Sequence, residues 1–280
     1  ATLKLQLYIY KKVYQRLNPQ LIFFDNGHYG GMGHLIRLAK EMGIKTAEMQ
    51  HGMTSAGYDA YNFAPILLES QAYQLHTPDY FLAYGQWWAE QIRVSAQVVI
   101  IGNPHYDTMC RRWKNGSKIK NKILLLSDGI RFAHYLEMAQ KIKAALPSIF
   151  EIVVRPHPME RATALQTYGA TFEGIQIDDS DNLYQRLAES YAVIGEISTA
   201  LFEAVGLAEK VFSFTNPRTL FVLPDNPFEQ FETVTQLVDQ LLVNDGKIHL
   251  DIESIWADNW ESRYRDFITH RIGIEPRGAF

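Results

Sequence analysis

The sequence predicts an α/β protein of two successive units, each a parallel sheet wrapped by helices. Three observations carry this. Short runs of Val, Ile, Leu and Phe alternate with longer segments whose apolar residues recur at helical spacing. The runs are apolar throughout instead of alternating, as strands buried on both faces are. At 280 residues, 47% of them hydrophobic and 21% charged, the chain has a globular composition and the length of two ordinary domains.

Composition also removes some function classes. A formal net charge of −4 gives no electrostatic case for nucleic-acid binding by the whole protein. The local basic patch of Lys114, Lys118, Lys120 and Lys122 is read as a solvated linker. The one cysteine, Cys110, permits neither an intrachain disulfide nor a cysteine pair for zinc, and suits a reducing cytoplasm. No run is long enough to cross a membrane and no targeting pattern is present, so the expected location is cytoplasmic, with the inner face of the membrane as the alternative. A helical pattern (Leu3, Leu5, Leu7, Tyr10, Val13, Leu17) begins at once, as though further sequence precedes it.

The first unit, 1–110, follows that helix with a strand, Leu21-Ile22-Phe23-Phe24, running into Asp25-Asn26-Gly27-His28-Tyr29-Gly30-Gly31. A glycine-rich turn between a strand and a helix serves either tight geometry or the cradling of a phosphate or sugar. A second strand, Ile44 to Met49, delivers Gln50-His51-Gly52. The loop with Tyr58, Asp59, Tyr61 and Asn62 suits sugar binding and ordinary surface packing equally. Strands at 79–84 and 97–101 flank a helix whose Trp87 and Trp88 read as core. The last strand ends at Gly102-Asn103-Pro104-His105-Tyr106-Asp107, and the polar stretch 111–121 reads as the linker.

The second unit, 111–255, repeats the alternation. Ile123 to Leu126 leads into Ser127-Asp128-Gly129 and a helix through Leu136, Ala139 and Ile142. Ile152-Val153-Val154 then ends abruptly at Arg155-Pro156-His157-Pro158, because proline cannot donate to the ladder. A histidine framed by prolines beside an arginine, at the carboxyl end of a parallel strand, suggests an anion site. Asp178-Asp179-Ser180-Asp181 reads as helix capping in preference to a metal cluster. The strand Tyr191 to Ile194 exits through Gly195-Glu196-Ile197-Ser198-Thr199, where Ser198 and Thr199 either cap a helix or hold an anion at its N-terminus. A strand at 210–214 follows, and 256–280 is expected to form a separate helical segment carrying Trp256 and Trp260.

Taken in order, four pieces resemble one enzyme group: Gln50-His51-Gly52, the Gly-x-Pro-x-x-Asp segment from Gly102 to Asp107, Arg155-Pro156-His157-Pro158, and Gly195 to Thr199 followed by Phe202-Glu203. They are similar to motifs of GT-B glycosyltransferases that build bacterial surface polysaccharides, a group including CDP-glycerol glycerophosphotransferase-like enzymes and bacterial sialyl- and polysialyltransferases. The resemblance implies two Rossmann-like domains with parallel sheets facing across a cleft. It also implies a metal-independent transfer, with no cofactor, from a nucleotide-sugar donor to a hydroxyl of a glycan or lipid-linked glycan. On the donor side it puts Arg155, His157, Ser198, Thr199 and Glu196 near phosphate and Glu203 on the ribose. Gly27, His28, Tyr58 and Asp59 are expected to meet the acceptor, with His51, or else Asp25, as general base. Asp25-Asn26-Gly27 only approximates the acidic motif of the sialyltransferases. Glu196 and Glu203 stand one residue closer than the Glu-x7-Glu signature of many retaining members, which favours inversion. Two alternatives stay open: a GT-B-like epimerase or pyruvyltransferase, and a glycan-binding module of a larger assembly enzyme.

Overall fold

A computed structural model of the chain describes residues 2–116, 118–242 and 251–275. It divides into two compact units, Ala1–Pro104 with Glu253–Phe280, and His105–Ile252. Both are α/β with parallel sheets, as the sequence predicts.

The first unit has four parallel strands in sequence order, β1 (Leu21–Phe23), β2 (Lys45–Met49), β3 (Tyr80–Ala83) and β4 (Gln97–Ile100). Side chains alternate faces along a strand. Tyr80 and Leu82 therefore pack with Ala47, Ile101 and Phe267, while Phe81 and Ala83 pack on the opposite face with Tyr61, Ile92 and Ala96. The helix Gly33–Glu41, joining β1 to β2, buries Leu35, Ile36 and Ala39. Because all strands run the same way, Asp25 and His51 emerge at one edge, the carboxyl ends of β1 and β2.

The end of the described chain is not a separate segment. Trp88 Nε1 donates to Ile255 O at 2.8 Å, Ala257 N donates to Tyr84 O at 2.9 Å, and Phe267 is 1% exposed in the first unit's core. The hydrophobic effect favours it there, since Trp256 and Phe267 are buried against apolar side chains of the first unit. Residues 276–280 of the expected segment lie outside the described residues. The expected junction at 110/111 falls inside a helix, Pro104–Trp113, and the change of unit comes at its start. Nor is Lys122 part of a solvated linker: it lies buried on the next strand with its Nζ 3.3 Å from Glu189 Oε2.

Among the described residues the second unit has seven strands: β5 (Ile119–Leu126), β6 (Glu151–Arg155), β7 (Thr171–Phe172), β8 (Ile175–Ile177), β9 (Ser190–Gly195), β10 (Lys210–Phe214) and β11 (Glu229–Phe231). Their order is β11-β10-β9-β5-β6-β8-β7, parallel except for β7, which pairs antiparallel with β8. From β5 the chain winds outward through β6 and β8, then returns to the other side of β5 and winds outward through β9, β10 and β11. The reversal makes the carboxyl ends of β5 and β9 a topological switch point, where open α/β sheets bind ligands. No helix among the described residues is long and apolar enough to cross a membrane.

Two glycines admit the returning C-terminal chain. A Cβ on Gly85 would overlap the carbonyl oxygens of Ser254 and Ile255. One on Gly102, which has a φ of +81°, would sit 2.5 Å from Ala257 O. Gly85→Ala is expected to lower unfolding free energy by roughly 1–3 kcal/mol through overpacking. Gly102→Ala adds the left-handed penalty of roughly 1–2 kcal/mol. Urea unfolding that ranked Gly102→Ala no worse than Gly85→Ala would contradict this account.

Candidate active site

At the switch point of the second unit two carboxylates are buried beneath two arginines. Asp128 follows β5 and Glu196 follows β9, with side chains 1% and 0% exposed. Asp128 Oδ1 accepts the backbone N–H groups of Ile130 and Arg131 at 3.0 and 3.1 Å, which fixes the turn. Its Oδ2 accepts from Arg218 Nη1 and lies 3.6 Å from Arg131 Nη2. Glu196 Oε2 accepts from Arg131 Nη2 at 2.5 Å, with Arg218 Nη1 at 4.0 Å. Burial pushes the Asp128 carboxyl up, but the Arg218 hydrogen bond and the two backbone amides outweigh it and hold the acid below its ordinary range. Burial works against the charge of Arg131, and Glu196 and Asp128 outweigh it in turn. The two guanidinium side chains remain 40% and 38% exposed, so each is anchored from below by a buried acid and open above. Arginine's planar fork can do both at once, which makes the pair a ready anion site.

His157, after β6, stands beside it. Its ring lies against Gly129, where a Cβ would meet Nδ1 at 2.9 Å. Its backbone N–H donates to Ser127 Oγ at 2.9 Å, and Ser127 Oγ donates to Glu160 Oε1. Met159 N donates to His157 Nδ1 at 3.3 Å. An Nδ1 that accepts carries no proton, so the neutral ring presents an Nε2–H donor.

The other donor-side candidates are placed differently. Arg155, 7% exposed, gives its Nη1 to Asp178 Oδ2 and, at 3.1 Å, to Ser180 Oγ. Asp178 also receives Arg186 Nε at 3.2 Å. Arg155 therefore ties β6 to the loop after β8 as a buried ion pair. Ser198 Oγ accepts Ala200 N at 3.2 Å and caps a helix, Thr199–Ala204, of only six residues. Capping accounts for Ser198, and Thr199 is that helix's first residue. Glu203 lies on the same short helix, where its Oε1 accepts the Tyr184 hydroxyl at 3.0 Å. Burial pushes the Glu203 carboxyl above its usual range, partly offset by Tyr184.

In the first unit one acid organises the loop edge. Glu48, on β2 and 0% exposed, accepts the His28 backbone N–H at 3.1 Å, the His28 ring Nδ1 and the Tyr61 hydroxyl at 2.8 Å. Burial, then the Glu48 charge, drives the Tyr61 hydroxyl strongly upward and keeps it protonated as a donor. A Cβ on Gly27 would lie 2.6 Å from Pro78 Cγ and 3.2 Å from Glu48 Oε2. Gly27 and His28 therefore pack against the core, because the turn must press onto Pro78 and Glu48. At the surface of the same edge Tyr29 donates its hydroxyl to Asn26 Oδ1 at 2.8 Å and sits 3.2 Å from His51 Nε2. With that proton used, Nε2–H of His51 is the donor to Tyr29, and Nδ1 keeps the lone pair. Asp25 is exposed and, among the described residues, has no hydrogen-bond partner for its carboxylate. Tyr58 and Asp59 are exposed at the start of the turn Asp59–Tyr61, with the Tyr58 ring 5.9 Å from Tyr61.

The sequence pattern assigns no site role to Arg131, Arg218, Tyr29 or Glu48. For Arg131 a signal exists, a basic residue two places after an Asp-Gly turn at a strand's exit. Arg218 stands after β10, far along the chain, and only the strand order brings it to Asp128.

No family model and no curated protein matches the chain. Solved structures do match in fold. The chain is similar to S. aureus MnaA in a co-structure with UDP, at 15% identity and TM-score 0.61, covering 99% of this chain and 82% of that one. It is similar to the UDP-GlcNAc 2-epimerase of Methanocaldococcus jannaschii in complex with UDP-GlcNAc and UDP, at 13% identity and TM-score 0.56, covering 95% and 79%. It is also similar to the glycotransferase of kitacinnamycin, at 14% identity and TM-score 0.51, covering 84% and 70%. At these identities the likeness is one of fold, a GT-B-like pair of Rossmann-like units.

Two measurements separate support from site. Arg155→Met leaves Asp178 buried without its main partner and is expected to lower unfolding free energy by about 3 kcal/mol in urea; an unchanged midpoint would remove the structural role given to Arg155. For Glu203, a folded pKa above the unfolded value means that ionisation costs stability. That cost is absent below the unfolded value near about 4.3 and complete above the folded one. Glu203→Gln should therefore raise the melting temperature at pH 8 and lose the advantage as pH falls towards 4. An advantage independent of pH would contradict it.

Proposed function

We propose that the protein is an enzyme acting on a nucleotide-activated sugar. More narrowly, we read it as a metal-independent, inverting glycosyltransferase that moves a sugar, or a polyol-phosphate, to a hydroxyl of a bacterial surface glycan of capsule, O-antigen or teichoic-acid type. The observation that carries this reading is the pair of open arginines, Arg131 and Arg218, held on buried Asp128 and Glu196 at the switch point of a parallel sheet. Guanidinium groups fixed before the ligand arrives stabilise charge that develops on a departing nucleotide without reorganising. His157 adds an Nε2–H to the same phosphates, while Glu196 acts through Arg131. For a sugar the acceptor oxygen attacks the anomeric carbon from the face opposite the nucleotide and the bond to the phosphate oxygen breaks; for a polyol-phosphate it attacks the outer phosphorus in line with the phosphate–phosphate oxygen bond that breaks. The nucleotide leaves with that electron pair, and the acceptor proton passes to His51 Nδ1, with Asp25 as the alternative base. Tyr29 holds the His51 ring for that transfer, and Tyr58 and Asp59 are the exposed groups available to the acceptor.

The second reading is epimerisation of a nucleotide sugar, favoured by the fold likeness to the UDP-GlcNAc 2-epimerase of Methanocaldococcus jannaschii. It uses the same diphosphate site with no acceptor, and product analysis against a nucleotide-sugar panel separates the two. Calorimetry with CMP, CDP, UDP and GDP tests the site common to both. Arg131→Ala and Arg218→Ala should each weaken the best nucleotide by about ten- to a hundredfold, the worth of a charge-assisted hydrogen bond. Arg155→Met should leave its affinity unchanged, and EDTA should have no effect. Equal affinity in all three variants would refute the arginine site. For the base, His51→Ala should abolish turnover with nucleotide binding retained; if Asp25→Ala does so instead, the base is Asp25.

A further inference from the structure

The helix Thr2–Leu17 docks on the first unit by a narrow strip. Tyr14 is its one buried residue and packs with Ala39 and Ile44, Leu7 touches the Phe24, Leu35 and Ile36 cluster, and Gln6 Oε1 meets His34 Nε2 at 3.1 Å. The rest of the helix faces solvent, and its composition is unlike an ordinary solvated face. Leu3, Tyr10, Val13 and Leu17 recur at intervals of three, four and seven, so they form one stripe, which Ile9 extends at its edge. These are exposed large apolar side chains, with Leu17 at 70% and Leu3 at 51%. Lys4, Lys11, Lys12 and Arg16 occupy the remaining circumference beside Leu5 and Tyr8, and no acidic residue is present in the helix. Four positive charges without a negative one stand out in a chain whose net charge is −4.

From this surface we infer that the helix lies on an anionic lipid bilayer, its apolar stripe in the acyl boundary and its basic side chains at the headgroups. A helix with an exposed apolar stripe, basic residues over the rest of its surface and aromatic residues among them is the form that binds in the plane of a membrane. Anionic headgroups attract each juxtamembrane Lys or Arg, and the flexible stems of these residues let the charge reach the headgroups while their methylenes stay in apolar surroundings. Charge also selects this occupant over a second copy of the chain, because two such helices would bring like charges together. The inference goes beyond the proposed enzyme activity and does not depend on it.

Vesicle co-sedimentation of the 280-residue chain tests it, with phosphatidylcholine vesicles and vesicles containing phosphatidylserine at low and high salt. The expected result is binding to the phosphatidylserine vesicles only, weakened by salt and by about fivefold for each charge removed in Lys11→Gln and Lys12→Gln. Val13→Glu with Leu17→Glu should abolish it. These side chains are exposed, so melting temperature and nucleotide affinity should match the unaltered chain, which separates failure of this surface from failure of the enzyme reading. No binding to anionic vesicles, or equal binding to neutral ones, would overturn the inference. So would a concentration-dependent dimer, lost in Val13→Glu, in place of vesicle binding.

Discussion

Two carboxylates closed off from water, those of Asp128 and Glu196, govern the edge of the second sheet. A buried carboxylate persists only where a cation and hydrogen bonds replace its solvent. Here the cations are Arg131, from the same turn after β5 as Asp128, and Arg218, from the segment after β10, so the requirement draws the exits of β5, β9 and β10 onto one spot. The pairing leaves the local charge balanced with no ligand present, which keeps the site stable when empty. It leaves part of each guanidinium exposed, and the proposed function assigns the anion to that surface, where it displaces none of the supports. The neighbouring His157 ring is fixed by similar means: a backbone amide occupies one nitrogen and leaves the other as a donor.

The first unit achieves its order with a single acid. Glu48 holds the backbone and ring of His28 and the hydroxyl of Tyr61, and the turn containing Asp25 and Asn26 is thereby pinned to β2. Rigidity below contrasts with exposure above, where Tyr29, His51 and Asp25 project from the pinned turn and the neighbouring strand exit. The proposed proton transfer would draw on this division, since the positions of the exposed groups are set by side chains that are closed off from solvent.

The strands were legible because parallel strands buried on both faces leave uninterrupted apolar runs, and Ile152-Val153-Val154 before Pro156 is the plainest case. Site residues at strand exits were legible in position but not in role. Arg155 and His28 carry the chemistry of a ligand site, yet Asp178 and Glu48 claim them, and those partners lie 23 and 20 residues away in sequence. Conversely, Arg218 gave no local sign, since its importance arises from strand order. Sequence spacing reports local geometry. The choice between a buried partner and an open face is made by tertiary neighbours, and the fate of residues 253–275 was hidden for the same reason.

The return of those residues to the first unit has a consequence for how the protein is made. Translation releases the second unit, His105–Ile252, as one uninterrupted stretch whose core needs nothing from later codons. The first unit has by then been outside the ribosome for longer, with Trp88, Tyr80 and Leu82 still waiting for Ile255, Trp256 and Phe267. Of these two units the earlier-made is thus the later to close, and its uncovered aromatic surface is open to chaperones, or to neighbouring nascent chains, until the helices of residues 252–272 emerge.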